Sequence, residues 1–315
     1  MSMPARSRDR RSWLGGSDAA AVLGVSSWTT PVELYLQKIG EAANDDEVSE
    51  ARRKLFERGR RLEPVIREMV IDKLRADGHD VQLLAKNRRY RHPRYRFLSC
   101  EIDFELLLDG EHVNADAKSV NHYARDKWGE AGSEDIPIEY AAQFMHGLDV
   151  SPGERRRCLV AALRSFDDVD IYWTKRDDET IEGMRAKLVS FWTEHVVPRV
   201  PPDPRKFSDV RALFPASNKS SIAATPEILE KVEQLRQVVK QARELKQADQ
   251  QLRFEIAQFM GPYALLTNGV RNLISWDQEE RSRFELEAFK REHADWYQLY
   301  LKTDLGRAMR FAAKR

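Results

Sequence analysis

Asp103, Asp116 and Lys118 lie close together in the segment FLSCEIDFELLLDGEHVNADAKS, residues 97–119. Carboxylates brought close on paired strands repel one another, so a cation is expected between them. Oxygen ligands without thiol or imidazole suit Mg²⁺, with Mn²⁺ as a substitute. A neighbouring lysine can stabilise charge on a phosphate or help to deprotonate water, and burial is expected to lower its pKa. These residue types suit metal-assisted hydrolysis of a phosphodiester bond.

The elements that must position them form a hairpin, because Asp109-Gly110 is a dipeptide favoured in tight turns between strands. Alternation puts Cys100, Ile102, Phe104, Leu106 and Leu108 on one face of the first strand, and Glu101, Asp103 and Glu105 on the other. On the second strand Val113, Ala115 and Ala117 oppose Asn114, Asp116 and Lys118. A two-residue turn pairs 108 with 111 and sets Asp103 opposite Asp116; a four-residue loop sets Asp103 opposite Lys118. Both registers keep the ionisable side chains together, whereas a one-residue slip mixes the faces. The same alternation also describes an ordinary half-buried sheet, and an isolated D-x-K tripeptide is a weak motif.

Around this hairpin the chain reads as alternating helices and strands. After a basic start expected to be mobile, GGSDAAAVLG at 15–24 is a turn entering a short helix, with Ser17 or Asp18 as N-cap. A second short helix is expected at 31–39 and a loop at the acidic residues 44–47. Leu62, Ile66, Met69, Val70 and Leu74 recur at helical spacing, and Pro64 suits a first turn, so that helix is expected to begin near Leu62. Strand-like runs follow at 80–91, 97–108, 112–119, 157–163 and 168–175. Between the third and fourth, Ile138, Ala141, Ala142, Met145 and Leu148 mark a buried helix, and another is expected from Thr180 to Val196. The prolines of PRVPPDP then interrupt regular structure. From Pro226, apolar residues from Ile228 through Leu235, Leu245 and Leu252 to Phe259 recur by three and four until Gly261. This is the seam of a long amphipathic helix, packed within the protomer by preference or, alternatively, against another subunit.

Composition narrows the chemistry further. A chain of 315 residues with 42% hydrophobic content can bury a core. No run approaches the roughly 20 apolar residues of a membrane span and no apolar leader opens the chain, so a cytoplasmic location without membrane association is expected. Two cysteines and seven scattered histidines, none in HxH or HExxH spacing, speak against a disulfide or a zinc centre. The net charge of +1 conceals basic clusters: Arg6, Arg8, Arg10 and Arg11; Arg52 to Lys54 with Arg58, Arg60 and Arg61; and Lys86 to Arg96. Such clusters in a nearly neutral protein suit a localised polyanion surface, with solvated charge as the plainer reading.

The blocks GGSDAAAVLG, ERGRRLEPVI, EIDFELLLDGEHVNADAKS, IPIEYAAQFMHGLDV and RDDETIEGMRAKLVSFWTEHV, with VRNLISW after the long helix, occur here in a telling order. Together they resemble the YqaJ-like viral recombinase family, relatives of phage lambda exonuclease in the PD-(D/E)XK nuclease superfamily, from Gly15 to about Arg310. The resemblance implies an α/β (α+β) fold: a restriction-endonuclease-like core with a central mixed sheet flanked by helices. It assigns a basic N-terminus to 1–14, the nuclease core to 15–200, a proline-containing connector to 201–225, and a helical extension with a short hairpin to 226–315.

By the same resemblance Asp103 is the first metal-binding aspartate, and Asp116 and Lys118 are the second acid and the lysine. The backbone carbonyl of Ala117 is a further metal ligand. Glu63 matches an acid from the preceding helix that holds metal or water, and Gln143 a glutamine that places water or substrate. Ser17 matches a residue near a DNA-end phosphate, with Arg11 assisting by charge. Two departures stand out: Asp116 replaces a more frequent glutamate, and Phe104 stands where glycine is usual.

The implied activity is a Mg²⁺-dependent exonuclease that degrades one strand at double-stranded DNA ends, 5′ to 3′, to feed homologous recombination. Implied partners are a single-strand annealing protein and further copies of the chain, with a trimer favoured. The competing readings are an endonuclease or repair nuclease with the same core, and a catalytically inactive DNA-binding scaffold. An iron–sulfur nuclease is disfavoured because two cysteines cannot supply four thiolates.

Overall fold

A computed structural model describes residues 10–42, 50–153, 155–164, 168–303 and 306–311. Residues 1–9, with Arg6 and Arg8, and the acidic loop expected at 44–47 lie outside the described residues, as does the side chain of Arg52. The chain separates into two compact units, Met1–Pro215 and Ala216–Arg315.

In the first unit, helices α1 (Gly16–Leu23), α2 (Pro31–Ile39) and α3 (Glu50–Ala76) precede strands β1 (Val81–Arg91), β2 (Ser99–Leu108) and β3 (Glu111–Ser119). A 3₁₀ turn (His122–Lys127) and helix α4 (Ile138–Val150) lead to β4 (Arg157–Leu163) and β5 (Val169–Lys175). Helix α5 (Asp178–Ser190) continues as a π-helical turn, Phe191–Val196, and α6 (Phe207–Leu213) follows. The five strands form one sheet in sequence order. Its pairs are antiparallel except β3 with β4, which run parallel. Parallel neighbours need a crossover, and α4 supplies it. The result is a mixed sheet flanked by helices.

Helices cover both sheet faces. Ile66, Val70 and Leu74 of α3 pack with Leu106, Leu108, Val113, Leu159 and Ala161. On the other side Phe144 and Leu148 of α4 pack with Cys158, Val160, Ala162 and Tyr172. The interior strand β4 is therefore apolar on alternate residues in both directions, as a doubly covered strand must be.

The structure departs from the sequence expectations at five places. Helix α3 runs through Pro64 instead of starting at Leu62. Pro64 is exposed, as is Arg60, whose carbonyl loses its intrahelical donor there. Gly15, not Ser17 or Asp18, is the N-cap of α1, and Asp18 at N3 reaches back to accept the Gly15 N–H at 2.8 Å. Ile138 at the start of α4 is exposed.

The fourth departure is in β2, whose even-numbered residues do not share a face. Cys100 and Ile102 pack in the cluster of α1, α2 and α5, whereas Phe104, Leu106 and Leu108 pack beneath α3. The change falls where β1 carries Asn87 in the left-handed region (φ 50°), between the pairs Lys86↔Phe104 and Arg88↔Ile102. Strict alternation assumed a regular backbone along the whole pair; Asn87 leaves the extended region here, while the register shift of the pair lies further along, between Leu83 and Ala85.

The second unit contains helix α7 (Pro226–Met260), strands β6 (Leu265–Thr267) and β7 (Asn272–Ser275), and helices α8 (Leu286–Glu292) and α9 (Ala294–Tyr300). Thr225 caps α7 by accepting the Ile228 N–H at 3.3 Å, and Pro226 occupies the first turn, where its missing donor costs nothing. The fifth departure concerns the α7 seam: the unit's own hairpin and short helices leave Ile228, Leu235, Leu245, Leu252 and Phe259 exposed. No described helix is long and apolar enough to cross a membrane.

Candidate active site

The turn at Asp109-Gly110 is the two-residue one: Leu108 pairs with Glu111, and the ladder runs to Phe104↔Ala115. It stops there. One step further on, Asp103 Oδ2 accepts the Ala117 backbone N–H at 3.0 Å, so a carboxylate takes up a donor the ladder leaves over. On its other edge β3 stays bonded to β4 through Asp116↔Val160 and Lys118↔Ala162. Strands β2 and β3 thus part at the point where the ionisable residues lie.

Asp116 and Lys118, two residues apart on one strand, point to the α4 side of the sheet. The Lys118 ammonium pairs with Asp116 Oδ1, and Gln143 Nε2 on α4 donates to Asp116 Oδ2 at 3.2 Å. Lys118 also lies over the rings of Tyr140 and Phe144, with Nζ 5.3 and 5.4 Å from their centres. Those rings stand four residues apart and so share one face of α4. Asp116 is buried, 6% exposed, so it lies beneath α4 and not on a solvated sheet face.

Burial and mutual repulsion shape the charges. Burial, reinforced by the Asp116 carboxylate, pushes the Asp103 pKa up to about 7. Burial also raises Asp116, against the pull of Lys118. Glu63, from α3, is raised by burial and then by the Asp103 charge. For Lys118 burial pulls downward, but Asp116 and Asp103 outweigh it and the pKa rises. The expectation of a lowered lysine pKa is therefore corrected: an ion pair made inside the protein favours the ammonium, leaving Lys118 a donor and not a base.

Among the described residues no three His, Cys, Asp or Glu side chains stand ready-made as a metal-binding group. The donor set nonetheless fits a hard divalent cation. Asp103, Asp116 and Glu63 are oxygen donors within electrostatic reach of one another, each held above its ordinary pKa. The charge that would relieve all three is a cation bound by oxygen ligands.

The other expected site residues fall in two places. Helix α1 packs against Gln143 so closely that a Cβ on Gly16 would come within 2.8 Å of Gln143 Cγ. Glycine there permits the approach, and Ser17 beside it is exposed and accepts from Arg10 Nη2 at 3.4 Å. Arg11 is not brought to the carboxylates: its guanidinium lies against Gly40 at the end of α2.

Two features escaped the sequence reading. One is the aromatic pair over Lys118, which the i, i+4 spacing of Tyr140 and Phe144 around Gln143 could have revealed. The other is the latch beneath α1, where Lys38 donates to the Arg10 and Trp13 carbonyls and to Asp18 Oδ2 at 2.9, 2.6 and 2.7 Å. Nothing local in the sequence links Asp18 to Lys38.

Comparison with known proteins bears on the same region. Residues 7–154 match the YqaJ-like viral recombinase domain. The protein YqaJ of Bacillus subtilis (strain 168) is 30% identical over 193 residues, 60% of this chain and 55% of that protein. The chain thus spans about half the length of the curated relative it matches. Among solved structures, the alkaline exonuclease LHK-Exo of Laribacter hongkongensis superposes with a TM-score of 0.42 at 18% identity, covering 59% of this chain and 89% of that one. Its complex with dAMP gives the same TM-score and coverage at 21% identity. Glu63, Asp103, Asp116, Lys118 and Gln143 all fall inside the span, residues 7–154, that is similar to the YqaJ-like viral recombinase domain.

Proposed function

We propose that this site hydrolyses phosphodiester bonds in DNA with Mg²⁺, or Mn²⁺ in its place, and that the protein is an exonuclease acting 5′ to 3′ on double-stranded ends. The observation that carries the reading is the parted hairpin, which gathers Asp103, Asp116 and Lys118 around one point with Gln143 on Asp116. Asp103, Asp116, Glu63 and the Ala117 carbonyl hold the metal, which supplies Lewis-acid polarisation of the phosphoryl oxygen and a lowered pKa for water. Lys118, kept as an ammonium by its carboxylate neighbours, stabilises the negative charge that grows on the phosphoryl group in the transition state. Gln143 fixes the Asp116 carboxylate and so the line along which water approaches phosphorus. The water oxygen bonds to phosphorus and loses a proton as the P–O3′ bond breaks, the departing 3′ oxygen gains a proton, and the next nucleotide keeps its 5′ phosphate.

Ser17, exposed at the start of α1, takes the terminal phosphate with the help of the helix N-terminus and Arg10, while Arg11 acts only through its longer-range charge. The single strand so produced passes to an annealing protein for recombination, and the chain works as a homo-oligomer, by resemblance a trimer.

The test uses linear duplex with 5′ phosphate or 5′ hydroxyl ends and covalently closed circles, each with Mg²⁺ or chelator. Release of mononucleotides from linear duplex alone, abolished by chelator and by Lys118→Ala, is the expected result. Circles cut as fast as linear DNA make the protein an endonuclease; DNA binding without hydrolysis in either metal makes it an inactive scaffold.

A further inference from the structure

Beside the site lies a cleft of about 980 Å³ between α3 and the chain that leaves β3 and β4. Its floor is apolar, made by Leu62, Val120 and Leu163, and its rim carries Lys54, Arg58, Arg61, Arg125 and Arg164 against one carboxylate, Glu57. Two of the arginines are fixed by the protein. Arg125 donates to the Arg164 carbonyl, and Arg164 donates to Gly129 O and the Tyr172 hydroxyl. Arg58 and Arg61 are exposed and form no ion pair with any described residue. The cleft adjoins the carboxylates through its own lining: Leu62 precedes Glu63, and Val120 follows Lys118 by two residues while donating to Leu163 O at 3.0 Å. It lies on the α3 side, whereas Gly16 of α1 approaches Gln143 of α4.

We infer that this cleft is a second nucleic-acid subsite, holding a few unpaired nucleotides of the strand being cut on the side of the scissile bond away from Ser17. The inference rests on the nuclease reading and adds to it the path of the strand.

An apolar floor with a cationic rim is what a single strand requires, since bases shed water onto the floor while phosphates meet the arginines. The volume lies at the top of the roughly 300–1,000 Å³ range of pockets for one small ligand, enough for a short run of nucleotides and too confined for a duplex. The pre-fixed Arg125 and Arg164 set the register of the phosphates, and the open Arg58 and Arg61 close on them without first breaking an ion pair of their own.

The full-length chain tests this in chelator, where no cutting occurs, with a fluorescein-labelled twelve-residue oligo-dT and a blunt duplex of equal length, titrated across salt. Arg58→Ala/Arg61→Ala is expected to weaken single-strand binding about tenfold or more. It should also flatten the log–log salt slope by about 1.4, the value for two lost phosphate contacts to a single strand. Arg60→Ala, which is exposed but off the cleft wall, is the control and should change neither. With Mg²⁺, the double variant should raise KM on oligonucleotides while leaving turnover of bis(p-nitrophenyl) phosphate, too short to reach the cleft, at the wild-type rate. Unchanged single-strand affinity and slope, or an equal loss on duplex, overturns the inference. Wild type that binds oligo-dT through Arg58 and Arg61 yet hydrolyses neither substrate leaves the cleft standing and removes the nuclease reading.

Discussion

The two ends of the β2–β3 hairpin are built from the same alternating sequence and do different work. At the turn end, Leu108↔Glu111 through Phe104↔Ala115 form an unbroken ladder whose inward residues Phe104, Leu106 and Val113 are buried under α3. At the far end the ladder stops, Asp103 accepts the Ala117 N–H, and Asp116 lies buried against Lys118 and Gln143. A paired ladder satisfies its own polar groups, so its side chains can be purely apolar. Where strands part, leftover donors and confined charges need partners, and those partners are what chemistry can use. Substitutions at the turn end should therefore cost stability, and substitutions at the open end should cost rate.

The sharpest test is Asp103→Asn, which keeps an acceptor for the Ala117 N–H but removes the charge. Nuclease rate should drop at least about 10³-fold, or ~4 kcal/mol in the barrier, with the thermal midpoint unchanged or higher. Retention of rate within tenfold in a steady-state assay would remove Asp103 from the reaction centre.

The same residue makes a pH prediction. Its folded pKa of about 7 lies above the ordinary 3.8, so the folded state binds the proton more tightly than the unfolded state does. Its contribution is fully present below the ordinary value and is lost as pH rises through about 7. In chelator, denaturant midpoints should fall between pH 4 and 7 by an amount worth a few kcal/mol. Asp103→Asn should flatten that fall, and an unaltered slope in the variant would show that the pH dependence arises at some other group.

At the turn end, Leu106→Ala empties a fully buried position and should destabilise by about 3 kcal/mol. Rate per folded molecule should not change, and a variant with normal stability and poor turnover would dissolve the contrast between the two ends. The smallest effect is expected for Gln143→Ala, which removes one hydrogen bond to a buried carboxylate, worth about 1.5 kcal/mol. Turnover should fall roughly tenfold, with little change in melting. A loss as deep as that of Asp103→Asn would make Gln143 part of the chemistry itself.

Local pattern determined a good deal of this protein. The five strands lie within about two residues of their apolar runs. The Asp109-Gly110 turn narrowed the hairpin to two registers, of which the structure adopts the two-residue one, and helix α2 occupies residues 31–39 as read. Each of these rests on neighbours in sequence: a turn dipeptide, alternation, a Thr-Pro start and a glycine end. Tertiary structure decided the rest, because it depends on residues far apart in the chain. Packing on the sheet carries α3 through Pro64 and brings Glu63 within reach of Asp103. Packing divides β2 at the level of Asn87, with Cys100 and Ile102 in one cluster and Phe104 in another. Helix α4 places Gln143 on Asp116 and two rings over Lys118, and the buried pair with Asp116 keeps that lysine charged. The types of the candidate site residues were legible in the sequence, but their charge states were not, since a pKa is set by whatever the fold presses against the group.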